Sequence, residues 1–204
     1  MKNSKELINL LSLKELEKNK FSGESVTIGS AIVFGGQVLA QAVNAAYRTI
    51  PENRFLHSLH SYFLEAGDLT VPIEFDVAEM RNGGSFSTRR VTASQKGRTI
   101  FILAASFHKK EKGFEHQTKI NTDIKQPEEL LSWEDMVVQF GDFLPKGIKS
   151  FLSIERPIDF KPVHTPNPLE PENRAPKEEI WFKLKGDIPE MDLPLKHQIL
   201  TYIS

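Results

Sequence analysis

One stretch constrains the fold more than any other. From Gly35-Gly36 to Ile50, just before Pro51, the chain carries Val38, Leu39, Ala40, Ala42, Val43, Ala45 and Ala46. Placed on a helix, these side chains go nearly all the way round, and only Gln37, Gln41, Asn44 and Arg48 interrupt them. A helix that is apolar on every side must be enclosed by other elements. Proline cannot continue a helix, so Pro51 ends it.

The segments after Pro51 can enclose it. His57 to Leu64 reads as a strand, and Val71, Ile73, Phe75 and Val77 alternate with Pro72, Glu74, Asp76 and Ala78. That period of two marks a strand with one wet face. Asn82-Gly83-Gly84 is expected to supply the positive-φ residues of a tight turn. Ser85 to Gln95 is the third strand, Lys96-Gly97 turns the chain, and Thr99 to His108 is the fourth. The unbroken apolar run of that last strand suggests burial on both faces. A buried helix followed by an antiparallel meander is an α+β arrangement in which the sheet curls around the helix.

The flanks are less regular. Residues 4–20 read as one or two short helices, with Ser12 and Glu15 as an internal capping box, and Phe21 to Phe34 as extended chain. Lys109 to Lys149 is a charged connection with helix starts at Gln126-Pro127 and Ser132-Trp133. Beyond it, Ile154 to Val163 and Glu179 to Leu184 read as strands on either side of a proline-rich loop from Thr165 to Pro176, and Pro194 opens a last helix. Eleven of the 12 glycines precede residue 150 and eight of the 12 prolines follow it, so the two regions are unlike. The expected divisions are a domain over 1–110, a linker over 111–151 and a second, partial domain over 152–204.

Composition closes several routes. The longest apolar run, Ile100 to Ala105, is six residues, against about 20 for a bilayer span, and no secretory pattern opens the chain. A net charge of −1 gives no case for nucleic acid. No membrane or nucleic-acid partner is therefore expected, and a cytoplasmic location is. The absence of Cys removes disulfides, thiolate nucleophiles and zinc–sulfur sites.

Chemistry has few places to sit. His57 and His60 are three apart, which in a regular strand sends them to opposite faces, and no carboxylates cluster beside them, so no metal site is expected. No Gly-x-Ser-x-Gly elbow is present. Gly83-Gly84 is too short for a phosphate loop. Arg89-Arg90 diverge on a strand: one of them is a candidate for an anionic ligand, and half-solvated strand residues is the commoner role. The most informative feature is the helix start, Gly35-Gly36-Gln37. Its unpaired N–H groups and the positive end of the helix dipole suit a carbonyl or anion, while glycine there equally suits close helix–sheet packing. Between Phe34 and Pro51 there is no Asp or Glu to act as a general base.

Taken in order, several segments resemble the type II acyl-CoA thioesterases, the TesB-like family. They are Phe34-Gly35-Gly36-Gln37-Val38-Leu39-Ala40-Gln41-Ala42, His57-Ser58-Leu59-His60-Ser61-Tyr62-Phe63-Leu64 and Gly84-Ser85-Phe86-Ser87-Thr88-Arg89-Arg90-Val91. Ile100-Phe101 to Phe107 and Gly113-Phe114-Glu115-His116-Gln117 continue the match, as do Glu179 to Phe182 and His197 to Ser204. The resemblance implies a double hot dog, here one complete hot dog and the beginning of a second. It implies hydrolysis of acyl-CoA to fatty acid and CoA with no cofactor or metal, and homo-oligomers. The family's catalytic Asp would directly follow a segment like His197 to Ser204, and its hydroxyl and Gln partners would come later. None of the three positions falls within these 204 residues, so hydrolysis is expected to be impaired or absent. The alternative is a non-catalytic acyl-CoA-binding or oligomerising hot-dog protein. Aligning Gln37 with Gln198 sets Asn44 opposite the family's Asp. Candidate substrate-binding residues are Gly35, Gly36, Gln37, Asn44, His60 and Arg89.

Overall fold

A computed structural model describes residues 1–164, 173 and 175–204, so most of the proline-rich loop expected over Thr165–Pro176 lies outside the described residues. The chain forms two compact units, Leu7–Gly113 with Pro189–Ser204, and Met1–Glu6 with Phe114–Ile188. The break after Gly113 falls close to the expected boundary at 110, while no break falls at 151 and the last helix groups with the larger unit.

The larger unit is built on the apolar helix, α2 (Gly35–Tyr47), which the chain reaches after α1 (Ser4–Leu11), β1 (Lys14–Glu17) and β2 (Lys20–Gly23). Then come β3 (Arg54–Phe63), β4 (Ile73–Asn82), β5 (Phe86–Gln95) and β6 (Arg98–Lys109). Six antiparallel strands in the order β1-β2-β4-β5-β6-β3 make one sheet. Alternation along each strand sends Ile73, Phe75 and Val77, Val91 and Ala93, and Phe101, Leu103, Ala105 and Phe107 onto α2. There they meet Val38, Leu39, Ala42, Val43, Ala45 and Ala46. The alanines keep the helix surface low enough for the sheet to close on it. This is the α+β hot-dog arrangement expected from the sequence.

Several local expectations fail for physical reasons. Ser12–Glu15 does not restart a helix. Asn19 takes a left-handed conformation, φ 62°, and turns β1 back on β2. Phe21 can then pair opposite Phe75 and be buried, and tertiary burial outweighs the local helical pattern. Gly83 and Gly84 do not have positive φ. Their loop is closed by Gly83 N–H donating to Phe86 O at 2.8 Å, and Arg54 Nη2 donates to Gly83 O at 2.7 Å. At the next hairpin Lys96 and Gly97 are both left-handed, φ 52° and 74°, as expected. Strand β6 is not buried on both faces, since Ala104 is exposed and Ile102 only half-buried.

The smaller unit holds a 3₁₀ turn (Pro127–Glu129), α3 (Trp133–Phe140), α4 (Lys146–Leu152), and β7 (Ile158–Pro162) paired antiparallel with β8 (Ile180–Leu184). Both expected helix starts are present as capping boxes, Gln126 with Glu129 and Ser132 with Asp135. Trp133 stacks on Phe160 at 4.6 Å and carries the Arg156 guanidinium over its ring. The final helix α5 (Leu193–Ile203) returns to the larger unit and lies antiparallel to α2. Phe34 meets Tyr202 edge-on at 5.2 Å, Asn44 bonds Gln198, and Tyr47 bonds His197. Among the described residues no helix is long and apolar enough to cross a membrane.

Candidate functional site

Helix α2 starts without a side-chain cap. Phe34 is its N-cap residue, and its carbonyl accepts from the N–H groups of Gln37 and Val38. The N–H groups of Gly35 and Gly36 have no partner among the described residues. A side chain at Gly36 would put its Cβ 2.2 Å from the Tyr202 carbonyl oxygen, so glycine is required there for α5 to pack. At Gly35 the nearest obstacle is the Phe63 ring, 3.0 Å from a Cβ position. The two readings of this glycine pair thus divide by residue. Gly36 serves packing, and Gly35 borders open space.

That space is a cavity of about 360 Å³ lined by Ile32, Val33, Val38, Phe63, Leu64 and Phe101, with Gly35 at its edge. Its one ionisable lining residue is Glu65, which Arg98 binds through Nε at 3.1 Å and through Nη2. An apolar cleft therefore opens against the positive end of a helix.

The other candidates disperse. Gln37 is fully buried and spent on structure: Nε2 donates to Glu24 O at 2.7 Å and Oε1 accepts from Val26 N–H at 3.3 Å. It fixes the chain that leads into α2. Arg89 is also fully buried. Its Nε donates to Thr49 Oγ1, Nη1 to the Arg81 and Thr88 carbonyls, and Nη2 to Thr49 O, Asn82 Oδ1 and Glu79 Oε2. Burial lowers its pKa against the pull of Glu79, whose own carboxyl is held low by Asn19, Asn82 and Arg89. Arg89 ties the chain after α2 to the sheet and has no donor group left for a ligand. That differs from the half-solvated strand residue its sequence position suggests. Arg90 is the exposed one of the pair.

His60 stands on the outer face of the sheet, paired opposite the exposed Ala104, with its ring against Tyr62 at 4.8 Å. It does not join Gly35. A bulge between Leu56 and Ser58 adds one residue to β3, so His57 also faces outward, where Nε2 lies 2.8 Å from Ser106 Oγ. The opposite-face expectation holds for a regular strand, and the bulge breaks it. Among the described residues no group of three His, Asp or Glu could hold a metal ion.

Asn44 sits at the other end of the helix pair. Its Nδ2 donates to Gln198 Oε1 at 3.0 Å, and its Oδ1 is buried without a protein partner. Here a second cavity, about 400 Å³, is bordered by Asn44, Gln198, Glu190 and Asp192. The start of α5 is closed: Asp192 accepts from Leu195 N–H at 2.9 Å, and Pro194 has no N–H to offer. Nearby, the Tyr47 hydroxyl oxygen accepts from Leu56 N–H at 2.8 Å and lies 2.6 Å from His197 Nδ1. Burial raises the Tyr47 pKa and lowers that of His197.

Sequence reasoning missed the apolar lining. Phe63-Leu64 was visible as a strand end, but its side chains gain meaning only once β3 is laid beside the start of α2.

Comparison with known proteins agrees with this architecture. Residues 23–108 match the family described as the acyl-CoA thioesterase N-terminal domain. Acyl-CoA thioesterase 2 of Haemophilus influenzae is 38% identical over 198 residues, spanning 97% of this chain and 68% of that protein. Human acyl-coenzyme A thioesterase 8 is 36% identical over 203 residues, spanning 96% of this chain and 63% of that protein. The crystal structure of the acyl-CoA thioesterase II TesB2 from Mycobacterium marinum superposes with a TM-score of 0.72 at 30% identity, covering 97% of this chain and 67% of that one. The chain thus spans about two thirds of the length of these relatives.

Proposed function

This chain belongs to the type II, TesB-like acyl-CoA thioesterase family, and on that premise we propose that it binds acyl-CoA thioesters at the start of α2. The thioester carbonyl lies at the N–H groups of Gly35 and Gly36, and the acyl chain enters the adjoining apolar cavity. The observation that carries this reading is the uncapped helix start opening into that cavity. Helix N-termini hold about half a positive charge, and N–H groups aimed at a carbonyl oxygen stabilise the negative charge that builds on it during attack.

Attack itself needs an activated water. No Asp or Glu lies between Phe34 and Pro51, and Glu65 is bridged by Arg98. The described cavity therefore supplies binding and polarisation without a free general base, whose contribution is typically about 10²–10⁴-fold in rate. The chain alone binds acyl-CoA and turns it over slowly.

The test uses the purified 204-residue chain. Binding of a panel of acyl-CoAs is measured by calorimetry, and free CoA by a thiol reagent. Saturable binding with slow CoA release is expected. A folded chain that binds no acyl-CoA overturns the reading, and fast release overturns its account of the missing base. Self-association has its own support: β3 is an edge strand bearing the exposed Tyr62, and such edges pair readily.

A further inference from the structure

The cavity at the start of α2 has one buried wall and one exposed one. Val33, Val38, Ile100 and Phe101 are each at most 5% exposed and are locked into the core. Ile32, Phe63 and Leu64 are 48–57% exposed. Among these, Phe63 is singled out by its contacts. Its ring packs on Phe101 at 4.9 Å, and its Cε1 and Cζ lie 3.0 and 3.1 Å from where a Cβ on Gly35 would stand. The ring therefore bridges the core of the sheet and the first residue of the helix, and a Cβ at Gly35 would press on it.

We infer that Phe63 sets the acyl-chain length this cavity accepts, confining it to short and medium straight chains. The inference rests on the acyl-CoA reading of the site. The cavity's volume of about 360 Å³ stands near the bottom of the roughly 300–1,000 Å³ range of small-molecule pockets. Its lining is apolar apart from Glu65, and that carboxylate is neutralised by Arg98, so a hydrocarbon chain is the occupant the walls favour. Each buried methylene tightens binding about three- to fourfold, and methylenes that pass the Phe63 ring into solvent add nothing. Affinity should accordingly climb with chain length and then level off. Phe63 determines where.

The experiment titrates the full chain with S-(2-oxoalkyl)-CoA thioethers, from 2-oxobutyl to 2-oxohexadecyl, which keep a carbonyl and cannot be hydrolysed. The parent should gain about three- to fourfold per methylene up to a plateau at medium length. Phe63→Ala should carry the plateau to longer chains. Gly35→Ala, by crowding the ring, should bring it to shorter ones. Phe63→Leu gives a milder truncation, and circular dichroism confirms that each variant is folded. Binding that is intact with a plateau unmoved in all three variants overturns the Phe63 assignment alone. A change in oligomeric state with no movement of the plateau overturns it too, by showing that the ring serves a second copy. No binding of any thioether by the folded parent overturns the acyl-CoA reading and this inference with it.

Discussion

The starts of α2 and α5 lie at opposite ends of one antiparallel helix pair, and they are finished in opposite ways. Helix α5 begins with Asp192 bonded to Leu195 N–H and with proline in its first turn. Its end of the pair borders a cavity edged by Glu190, Asp192, Asn44 and Gln198. Helix α2 begins at Phe34 with no side-chain cap, two glycines and an apolar cavity. A cap stabilises a helix by about 0.5–2 kcal/mol, and α2 forgoes it. Burial among sheet strands holds α2 without local help, so its N–H groups stay available. At α5 the carboxylate already occupies the place where an anion would go. Two helices of similar setting thus differ in whether their positive ends are capped by a side chain or left open.

The largest test of this contrast is Gly36→Ala. Its Cβ would stand 2.2 Å from a backbone carbonyl of α5, and no side-chain rotation relieves that. Overpacking of this kind costs about 1–3 kcal/mol, which for a chain of this size lowers Tm by about 3–10 °C. Gly84→Ala is the control, because nothing lies within 4 Å of its Cβ position. Its Tm should match the parent's. Equal melting of Gly36→Ala and the parent would show that the helices do not meet at Gly36.

The difference between these two glycines was only partly legible in the sequence. The enclosed helix could be read from Val38 to Ala46, because apolarity on every side has one structural solution. The strands could be read from their alternation. Pairing partners could not: Phe21 opposite Phe75 decides β1 and β2, and that contact spans 54 positions of the chain. The His57 bulge likewise depends on register against β6. At the site, Gly35 and Gly36 stood out through the chemistry of helix starts, whereas Phe63 did not, since nothing local says what its ring covers. Arg89 looked like a strand cation. Only its surroundings, the Thr49, Asn82 and Glu79 oxygens, reveal a buried brace.

A smaller effect should come from uncapping α5. Asp192→Ala leaves Leu195 N–H without its acceptor and should destabilise the chain by about 1 kcal/mol. Asp192→Asn keeps an acceptor oxygen at the same place and should cost only a few tenths. Urea denaturation separates these outcomes through the midpoint at constant slope. Equal losses in both variants would mean that charge at this helix end matters and the cap does not. Thioether binding should survive both substitutions, because the proposed site lies at the other end of the pair.

The smallest effect concerns His197, which joins the two helices through Tyr47. Its Nδ1 lies 2.6 Å from the Tyr47 hydroxyl, which also accepts from Leu56 N–H. Burial lowers the His197 pKa in the folded chain, so below about pH 6.5 the unfolded chain takes up the proton more readily. Stability from keeping the buried His197 neutral is therefore complete above the unfolded value near pH 6.5. It declines as pH falls through that value toward the lower folded one. Thermal melts from about pH 8 to about pH 5 should show a steeper acid-side loss for the parent than for His197→Gln, which has no proton to gain. Parallel pH profiles would mean that burial does not lower the titration of His197 in the folded chain. If the profiles do diverge, thioether affinity at the α2 start should change less with pH than the melting temperature does, because Gly35 and Phe63 are at the far end of the helix pair.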